Sequence, residues 1–454
     1  MASQYSRLIS LPEGKAGNPA IKLSVASEPL VKPSISPRIL VIGGGVSGLM
    51  TAWILLDKGY RVTVISKEWA WTKDFQHSRL TSQIAGALWE YPPGGCGLTE
   101  IESPGEGWAT IKHYREWSLE SYEFYKKLNS LLNGRLRTEF GVAITRLNQF
   151  FYHDLTASTE TNTEDFEKLR ALRADSDRVS NLQEQKNEKD LEPIFDSIRV
   201  PKEWREKLKY GYTHDAPIIN TDKAMVYLMA LVQSKGAELE TQELHGRLED
   251  LGSDLLEEHK AQAIINATGL GAKELVGDTD VYPVRGAIKR VSNNNTNRFE
   301  AINEAYLVPA QTDDYKQPTR VVFLVPRNDE TLVVGSIIQR NNQQLNLQEN
   351  SPDVEVMWDR ACSFMPGLDD ASTIPWYPLA QGLRPFTKKN VKVRADEVRV
   401  NATNFKPLIH NYGHGGSGWT LAVGCARSAV NLLELMLDGK SADKANETLY
   451  PTTK

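Results

Sequence analysis

The first strong pattern along the chain is an apolar run at Ile39–Ile42 that is followed at once by a cluster of glycines. Four apolar residues in a row, without alternation, predict a strand that is buried on both faces. The apolar residues between positions 49 and 56 then predict a buried helix, and Gly59 is placed to end it. A second apolar strand runs up to Glu68. The pattern therefore predicts a strand-helix-strand unit.

The glycines of this unit carry the first chemical prediction. Gly43 allows a tight turn, Gly45 lets the backbone approach a pyrophosphate, and Gly48 lets the helix pack closely on the strands. Glu68 falls about 20 residues after the last glycine, where a carboxylate binds ribose hydroxyls. A glycine turn that fits the spacing by chance is the alternative, and the strands and helix around it argue against that. The unit predicts a dinucleotide cofactor and hence an enzyme.

Later segments continue the alternation of helices and strands. Trp108–Leu132 predicts an amphipathic helix whose aromatic residues belong to the core, and Thr221–Ser234 predicts a further helix. Ala263–Gly269 predicts a buried strand with a ligand-facing carboxyl end. Alternating runs between positions 282 and 338 are typical of a substrate-domain sheet. Leu408–Leu437 predicts a strand, a glycine turn and a long helix, which supplies a second helix start for a ligand.

Two segments differ from the rest in composition. Residues 1–36 are rich in proline and poor in aromatic residues, which predicts an extended arm, and we favour an ordinary flexible terminus over a functional role. Residues 156–209 are highly charged and predict helices. A solvated cap or interdomain element is favoured there over a partner-binding face.

Composition and charge mainly exclude certain classes of partner and site. The 454 residues suffice for about two to three domains, and the formal net charge is only -5, with the basic residues scattered. This argues against nucleic acid and anionic membranes as partners. Cys96, Cys362 and Cys425 are few and far apart, so they predict neither a disulfide framework nor a metal site. A reducing compartment is the expectation.

Targeting signals point the same way. We expect no membrane span from the apolar runs, residues 1–36 lack the apolar core of a signal peptide, and residues 450–454 do not match the peroxisomal Ser-Lys-Leu address. The sequence therefore predicts a cytoplasmic protein.

Six motifs together resemble the D-amino acid oxidase family, FAD flavoproteins that include D-aspartate oxidases. They are VIGGGVSGL, TSQIAGALW, IINATGLGA, YPVRG, GLRP and NYGHGGSGWTLAVGCA, and they occur in the family's order over about residues 38–440. The resemblance implies an α/β protein with a Rossmann-like FAD-binding domain of the GR2 type. It also implies a second α+β substrate domain that contains a mixed antiparallel sheet.

The resemblance also implies how the chain divides. The cofactor domain would be assembled from separate segments, with the substrate domain inserted between them. The divisions are an arm at 1–36, the FAD domain at 37–95, 221–281 and 396–440, the substrate domain at 96–220 and 282–395, and a tail at 441–454.

By the same resemblance, several groups of residues would hold FAD. Residues 43–48 would cradle the pyrophosphate and residues 66–68 the adenosine ribose, where Lys67 is expected to share the edge with Glu68. Residues 415–420 start the last helix, so their amides and the positive end of the helix dipole would face the flavin pyrimidine. The full set is Gly43, Gly45, Val46, Ser47, Gly48, Ser66, Lys67, Glu68, Thr81, Ser82, Gly86, Ala87, Leu88, Thr268, Gly269, Arg384, Gly415, Gly416, Ser417, Gly418, Trp419 and Thr420.

On the substrate side the resemblance points to Arg384 in its Gly-x-Arg-Pro setting. A guanidinium holds a carboxylate through two parallel hydrogen bonds, which fixes the α-carbon over the flavin. The carbonyl of Gly416 would accept the substrate amine. His414 is interpreted as hydrogen-bonded to backbone rather than as a general base.

Three residues mark departures from the family pattern. A family tyrosine that also binds the carboxylate is matched by Phe323, which has no hydroxyl, and Tyr306 stands in a similar local pattern as its equivalent or replacement. Glu90 stands where some relatives carry glutamine. It would favour basic substrates if it faces the substrate, and a structural acid is the alternative.

The resemblance implies an FAD-dependent oxidase of D-amino acids, in which the α-hydrogen leaves as hydride to flavin N5 and oxygen is reduced to hydrogen peroxide. Another flavin amine or imino-acid oxidoreductase, such as a glycine-like, sarcosine-like or specialised-metabolite oxidase, stays open. A flavin-bound binding module without turnover also stays open. The expected partners are an amine-bearing carboxylic acid and oxygen, without nucleic acid, membrane or metal, and a homodimer is compatible with the sequence.

Overall fold

The strands that the structure describes form two large sheets and two small antiparallel pairs. The computed structural model describes residues 7–33, 36–70, 80–94, 108–160, 162–312, 318–319, 321–327, 330–375 and 377–451. Cys96, one of the three cysteines considered above, lies outside the described residues. The strands in chain order are β1 (Leu8–Leu11), β2 (Ile21–Ser24), β3 (Arg38–Ile42), β4 (Arg61–Ser66), β5 (Val142–Phe151), β6 (Gln183–Gln185), β7 (Tyr210–Ile219), β8 (Glu238–Thr241), β9 (Ala263–Asn266), β10 (Val281–Ser292), β11 (Ala305–Val308), β12 (Gln311–Thr312), β13 (Pro318–Thr319), β14 (Val322–Pro326), β15 (Thr331–Arg340), β16 (Leu379–Thr387), β17 (Lys392–Arg399) and β18 (Phe405–Tyr412).

The helices are of very unequal length, and the two longest have 20 residues each. Short 3₁₀ turns at Leu131–Gly134, Gly269–Gly271 and Leu368–Asp370 accompany them. The α-helices are α1 (Val46–Asp57), α2 (Thr81–Ile84), α3 (Ile111–Ser130), α4 (Leu136–Glu139), α5 (Thr163–Ala174), α6 (Glu188–Ser197), α7 (Lys202–Arg205), α8 (Thr221–Ser234), α9 (Leu248–Glu258), α10 (Ala272–Leu275), α11 (Pro352–Phe364), α12 (Gly418–Leu437) and α13 (Ala442–Leu449).

The first sheet has six strands in the order β17-β18-β9-β3-β4-β8. All neighbours from β18 to β8 are parallel, and β17 is antiparallel to β18. Ile39 and Val41 belong to the same core cluster as α1 and α12, whereas Leu40 and Ile42 pack with α9 on the other side. The unbroken apolar run of β3 is explained by this covering of both faces.

The second sheet has eight strands in the order β16-β10-β15-β14-β11-β5-β7-β6. Its pairs are antiparallel except for β11 and β5, which run parallel. The predicted fold class, a Rossmann-like α/β domain joined to a domain with a mixed antiparallel sheet, is confirmed.

Residues 7–33 of the amino-terminal arm fold onto the protein, which corrects the prediction of an extended arm for this part of the chain. β1 and β2 form an antiparallel hairpin. Asn18 Nδ2 donates to both carboxylate oxygens of Glu120, at 3.0 and 2.9 Å, and Arg427 Nη1 lies 3.0 Å from the same carboxylate. The Ser24 amide donates to Asp57 Oδ2 at 2.7 Å. Burial raises the pKa of Glu120 to about 8, against the opposing effects of Arg427 and Asn18. The arm is held because buried carboxylates on α1 and α3 need its donors.

Two segments lie on the first sheet's side although the sequence assigned them to the substrate domain. In α3, Trp117 Nε1 donates to Ser428 Oγ of α12 at 2.8 Å, and a Cβ on Gly424 would lie 2.3 Å from Trp117 Cα. β17 begins at Lys392, four residues before the predicted boundary. The domain division itself stays a prediction.

Helix α12 corrects the expectation that no segment matches a membrane span. Among the described residues it is long and apolar enough by length and composition, with a mean hydropathy of 1.3. However, 78% of that window is buried inside the protein, where α12 packs against α1 and α3. A core helix of this kind passes the same test of length and composition.

Candidate active site

A cleft of about 530 Å³ is lined by residues of both large sheets and gathers most of the predicted site residues. The carboxyl ends of β3, β4 and β9 open into it, as expected for a ligand site in a parallel sheet. Within the described part of the chain, Gly48 and Tyr306 are the predicted residues that do not line it. Those that do are Gly43, Gly45, Val46, Ser47, Ser66, Lys67, Glu68, Thr81, Ser82, Gly86, Ala87, Leu88, Glu90, Thr268, Gly269, Phe323, Arg384, Gly415, Gly416, Ser417, Gly418, Trp419 and Thr420.

The first glycine turn fits a pyrophosphate. Gly43 has a φ of +119°, and a Cβ there would lie 2.4 Å from the carbonyl oxygen of Ala267. A Cβ on Gly48 would lie 1.9 Å from the carbonyl oxygen of Gly43, so this residue serves the close packing of α1. A Cβ on Gly45 would meet only Ser82 Oγ, at 3.3 Å, which leaves the backbone before α1 accessible from the cleft. The start of α1 can therefore receive an anion.

The end of the cleft at Lys67 and Glu68 is more open to solvent. Ser66 Oγ accepts from the Gly44 amide at 3.1 Å and donates to the Glu68 carbonyl at 2.8 Å, so it fixes the turn. Lys67 Nζ lies 3.7 Å from Glu243 Oε1, and both side chains are exposed. A pair of this kind contributes little to stability, which leaves Lys67 available to a ligand.

The amino end of α12 is hydrogen-bonded to residues from two other parts of the cleft wall. The Gly415 amide donates to the Pro385 carbonyl at 2.8 Å, and Trp419 Nε1 donates to the Ser82 carbonyl at 2.8 Å. These bonds place the amino end of α12 beside the residue that follows Arg384. The amides and positive end of a 20-residue helix therefore face the cleft.

His414 precedes this turn and is buried. Burial lowers the pKa of His414 to about 4, so the ring is neutral near pH 7. Its Nδ1 lies 3.5 Å from Ser47 Oγ, and its Nε2 has no hydrogen-bond partner among the described residues. The expected hydrogen bond to backbone is therefore not found, because the ring points to the start of α1 instead.

Arg384 lies on β16 with its guanidinium over the neighbouring strand. A Cβ on Gly286 would lie 2.4 Å from Arg384 Cζ, so only glycine leaves room for the guanidinium. Arg384 Nη1 donates to the Ile337 carbonyl of β15 at 3.2 Å. This arrangement fixes a cation in the wall of the cleft, where it can bind a carboxylate.

Phe323 and Tyr306 face opposite sides of the second sheet. The Phe323 ring packs on Gly86, where a Cβ would lie 2.7 Å from Phe323 Cζ. Phe323 pairs with Leu307, whereas Tyr306 pairs with Leu324. Because side chains alternate along a strand, Tyr306 points away from the cleft, into another core cluster. The suggestion that Tyr306 replaces the missing hydroxyl is therefore wrong.

Glu90 lines the cleft, and its charge is compensated from behind. Lys168 Nζ of α5 lies 2.6 Å from Glu90 Oε1, and the two side chains are 3% and 10% exposed. Gln149 Nε2 also donates to Oε1 at 3.5 Å. Both of these contacts engage Oε1, so the other carboxylate oxygen can accept a hydrogen bond from a ligand.

Sequence reasoning missed Lys168, Gly286 and Ser336. Lys168 belongs to the charged segment that was interpreted as solvated, yet it lies beside Leu169 and one turn before Leu172, both fully buried. A lysine on the apolar stripe of a charged helix is a signal that could have found it. Ser336 lines the cleft from β15, and no local pattern marks it. Among the described residues, no group of three or more His, Cys, Asp and Glu side chains could hold a metal ion.

Comparisons with known proteins extend this description. A family model described as "FAD dependent oxidoreductase" matches residues 38–432. A D-amino-acid oxidase of Rubrobacter xylanophilus is 25% identical over 398 residues, which cover 87% of this chain and 95% of that protein. The glycine oxidase structure from Geobacillus kaustophilus superposes with a TM-score of 0.62 at 18% identity, covering 92% and 100% of the two chains. The iminodiacetate oxidase structure from Chelativorans sp. BNC1 gives 0.59 at 18% identity, covering 89% and 96%.

Proposed function

The chain belongs to the DAO family of FAD dependent oxidoreductases, and from this premise we propose that it oxidises D-amino acids and releases hydrogen peroxide. In the proposed reaction an amino acid, water and oxygen give a keto acid, ammonia and hydrogen peroxide. When bound, FAD would supply the acceptor for the α-hydrogen as hydride and the route for two electrons to oxygen. The protein's own residues bind the cofactor, orient the substrate and exclude water.

The cofactor contacts are proposed from backbone geometry. The open backbone at Gly45 and the start of α1 suit the pyrophosphate, and residues 415–420 suit the electron-rich end of the flavin. The neutral ring of His414 adds a polar atom between these two helix starts. The FAD is proposed to be bound without a covalent bond.

The observation that carries the substrate proposal is the position of Arg384. Its guanidinium is held over Gly286 and bonded to the Ile337 carbonyl, in the same cleft as the turn at residues 415–420. A substrate carboxylate bound there in bidentate fashion would present its α-carbon toward the cofactor side of the cleft. The carbonyl of Gly416 would accept a hydrogen bond from the substrate amine.

Apolar side chains surround this position and favour a hydrophobic substrate side chain. Because Lys168 compensates the charge of Glu90, we propose no net attraction for basic side chains. Bulky or hydrophobic D-amino acids, or secondary amines, would gain about 1 to 2 kcal/mol from the apolar contacts. Five of the apolar lining residues belong to one core cluster, namely Ile84, Leu88, Ile288, Phe323 and Ala380.

One anaerobic experiment tests the proposal. Acid precipitation of the purified protein should first release FAD into a yellow supernatant. The flavin should then bleach with D-phenylalanine or D-alanine and not with the L-enantiomers, and peroxide should appear on admission of air. Bleaching by glycine or sarcosine alone would point to a different amine oxidase. A flavin that no amine or amino acid reduces would indicate a binding module without turnover.

Cytoplasmic location and a homodimeric state are proposed from the sequence. Cell fractionation and light scattering of the purified holoprotein test them directly.

A further inference from the structure

Glu90 lies in an extended segment whose side chains alternate between the cleft and the core. Leu88 pairs with Ile218 of β7 in an isolated bridge, and Leu88 and Glu90 both line the cleft. Trp89, between them, points the other way, where its Nε1 donates to the Ser118 carbonyl of α3 at 2.9 Å. Alternate side chains of an extended chain share a face, so the Glu90 side chain is directed to the cleft, and 10% of it is exposed.

The Glu90 carboxylate is held from behind through one of its oxygens. Lys168 Nζ at 2.6 Å and Gln149 Nε2 at 3.5 Å both engage Oε1, and neither of these two residues lines the cleft. Gln149 is fixed in turn, because Tyr212 OH donates to Gln149 Oε1 at 2.7 Å and so directs the amide N–H groups toward Glu90. This support leaves Glu90 Oε2 to accept a hydrogen bond from the cleft side.

The charges of this pair decide which donor fits. A cationic side chain in the cleft would be attracted by Glu90 and repelled by Lys168, whose Nζ lies 2.6 Å from Oε1. A carboxylate side chain would meet the lone pairs of Oε2 and lose its own hydration without gaining a donor. An uncharged N–H or O–H group can donate to Oε2 without adding a net charge to the wall.

One row of paired residues connects the surroundings of Glu90 with the Arg384 anchor across the second sheet. Directly paired residues share a face of a sheet. The row consists of Ile288, Gly335, Phe323, Leu307, Gln149 and Tyr212. Arg384 lies over Gly286, two residues before Ile288, and its Nη1 donates to the Ile337 carbonyl of β15. The cation therefore lies near β10 and β15, Glu90 lies near β5, and Phe323 on β14 lies between them.

The separation of these strands sets the length of a substrate that reaches both groups. Three intervals separate β15 from β5 in the strand order, which amounts to about 14 Å at the usual strand spacing. Hydrogen bonds of about 3 Å at each end leave about 8 Å between the substrate carboxylate and its far donor. An indole or phenol side chain has this reach and an apolar body for contact with Phe323. The hydroxyl of serine is too close to its own carboxylate.

We propose that Glu90 Oε2 accepts a hydrogen bond from an uncharged donor at the far end of the substrate side chain. Glu90 thereby selects D-amino acids whose aromatic side chain carries an N–H or O–H group, such as an indole or a phenol. This inference rests on the proposed function, because it assumes that Arg384 binds the substrate carboxylate.

The test compares two ligands of the same shape without turnover. Indole-3-propionate is titrated into the FAD-loaded protein, and its binding is followed through the change in flavin absorbance. The matched ligand is 3-(1-benzothiophen-3-yl)propionate, in which sulfur replaces the indole N–H. A second pair, 3-(4-hydroxyphenyl)propionate and 3-phenylpropionate, tests an O–H donor.

Two variants remove the acceptor in different ways. In Glu90→Gln, Lys168 engages the amide oxygen and leaves an NH₂ group, which is a donor, toward the cleft. In Lys168→Met/Glu90→Leu the whole ion pair becomes apolar, so no charge is left unpaired. Glu164→Gln, an exposed position on α5 outside the cleft, is the matched control for the change of acid to amide. FAD content and the thermal midpoint show whether each variant is folded.

The wild type should bind indole-3-propionate about tenfold to a hundredfold more tightly than the benzothiophene ligand, the effect of one hydrogen bond to a charged group. The ratio should fall to near one in Glu90→Gln and in the double variant, and Glu164→Gln should keep the ratio of the wild type. The phenol pair should follow the same order. In turnover, kcat/KM for D-tryptophan over D-3-benzothienylalanine should show the same dependence on Glu90, mainly through KM.

Equal affinity of the wild type for the two indole-shaped ligands overturns the inference, as does a ratio that Glu90→Gln leaves unchanged or a failure of the wild type to bind either ligand. If the double variant does not retain FAD, the Glu90→Gln variant decides. If D-alanine or D-phenylalanine still bleaches the flavin when the inference fails, the proposed function stands and only the role of Glu90 is wrong. If no amino acid bleaches it, the proposed function fails, and the titration still decides whether Glu90 recognises a donor.

Discussion

The cofactor end and the substrate end of the cleft are built in different ways. At the cofactor end the proposed contacts come from backbone in two strand-turn-helix units, where Gly43 and Gly415 make the turns with φ values of +119° and +55° and Gly45 leaves the chain accessible. At the substrate end the proposed contacts come from side chains on separate elements, such as Arg384 and Phe323.

This difference shows which contacts make each end of the cleft rigid. A glycine turn is fixed by the helix and strand that flank it in the sequence, so the cofactor end is stable as a local unit. The guanidinium of Arg384 depends on a carbonyl 47 residues away, and Glu90 depends on an ammonium 78 residues away. Substitutions at the substrate end should therefore act through the tertiary structure while leaving cofactor binding intact.

The largest expected effect is on the ion pair behind the substrate wall. Lys168→Met leaves the Glu90 carboxylate without its cation and should lower the free energy of unfolding by about 3 to 5 kcal/mol. The double variant Lys168→Met/Glu90→Gln should recover much of this loss. Urea unfolding of the FAD-loaded protein measures both. Equal free energies of unfolding for wild type and Lys168→Met would show that solvent in the cleft already hydrates the Glu90 carboxylate.

Arg384→Ala separates the two ends most directly. It should reduce kcat/KM for D-amino acids by about 2 to 4 kcal/mol of transition-state stabilisation, because a charged two-pronged contact is lost. The FAD content should stay near that of the wild type. Steady-state kinetics and flavin absorbance test this pair of outcomes. Loss of FAD together with activity would show that the two ends are not independent.

His214 lies behind the substrate wall, where its ring stacks on Tyr212 and packs edge-on against Trp89. The pH dependence of the free energy of unfolding therefore reports on the substrate end. Burial lowers the pKa of His214 from 6.5 to about 4, and Lys168 adds to the effect. The unfolded chain therefore binds the proton more readily, so this stability is complete above about pH 6.5 and is lost as the pH falls toward 4.

The expected loss through His214 is about 2 kcal/mol between pH 7 and pH 5. Unfolding in urea at several pH values measures it. His214→Phe should remove this part of the pH dependence, whereas the exposed His153→Gln should not. An unchanged slope in His214→Phe would contradict the assignment.

The smallest effect is expected from the apolar wall. Phe323→Tyr adds a hydroxyl to the ring that packs on Gly86 and should improve D-serine relative to D-phenylalanine by about 1 kcal/mol in kcat/KM. Tyr306→Phe removes a hydroxyl from the opposite face of the sheet and is the matched control, with no expected change in this ratio. Glu90→Gln, tested with D-lysine and D-aspartate, shows whether any net charge of Glu90 reaches the substrate. If neither Phe323→Tyr nor Glu90→Gln reorders the specificity constants, both side chains lie outside the substrate's reach.

Much of the fold and of the cofactor end could be predicted from the sequence. The apolar run of β3, the glycines and the apolar face of α1 lie within one short segment. The motif at residues 408–437 has the same order of strand, glycine turn and helix. Backbone contacts of this kind depend on residues that are neighbours in the chain, so local pattern and local geometry coincide.

The substrate end was decided only by the tertiary structure. Tyr306 and Phe323 have similar neighbours in the sequence, but the register of β11 against β14 turns one away from the cleft and the other toward it. A shift of one residue in register would exchange the two faces, and nothing within either strand specifies the partner's register. The docking of α5 likewise brings Lys168 to Glu90. The sequence identifies such residues one by one. Contacts between segments that are far apart in the chain decide which of these residues come together.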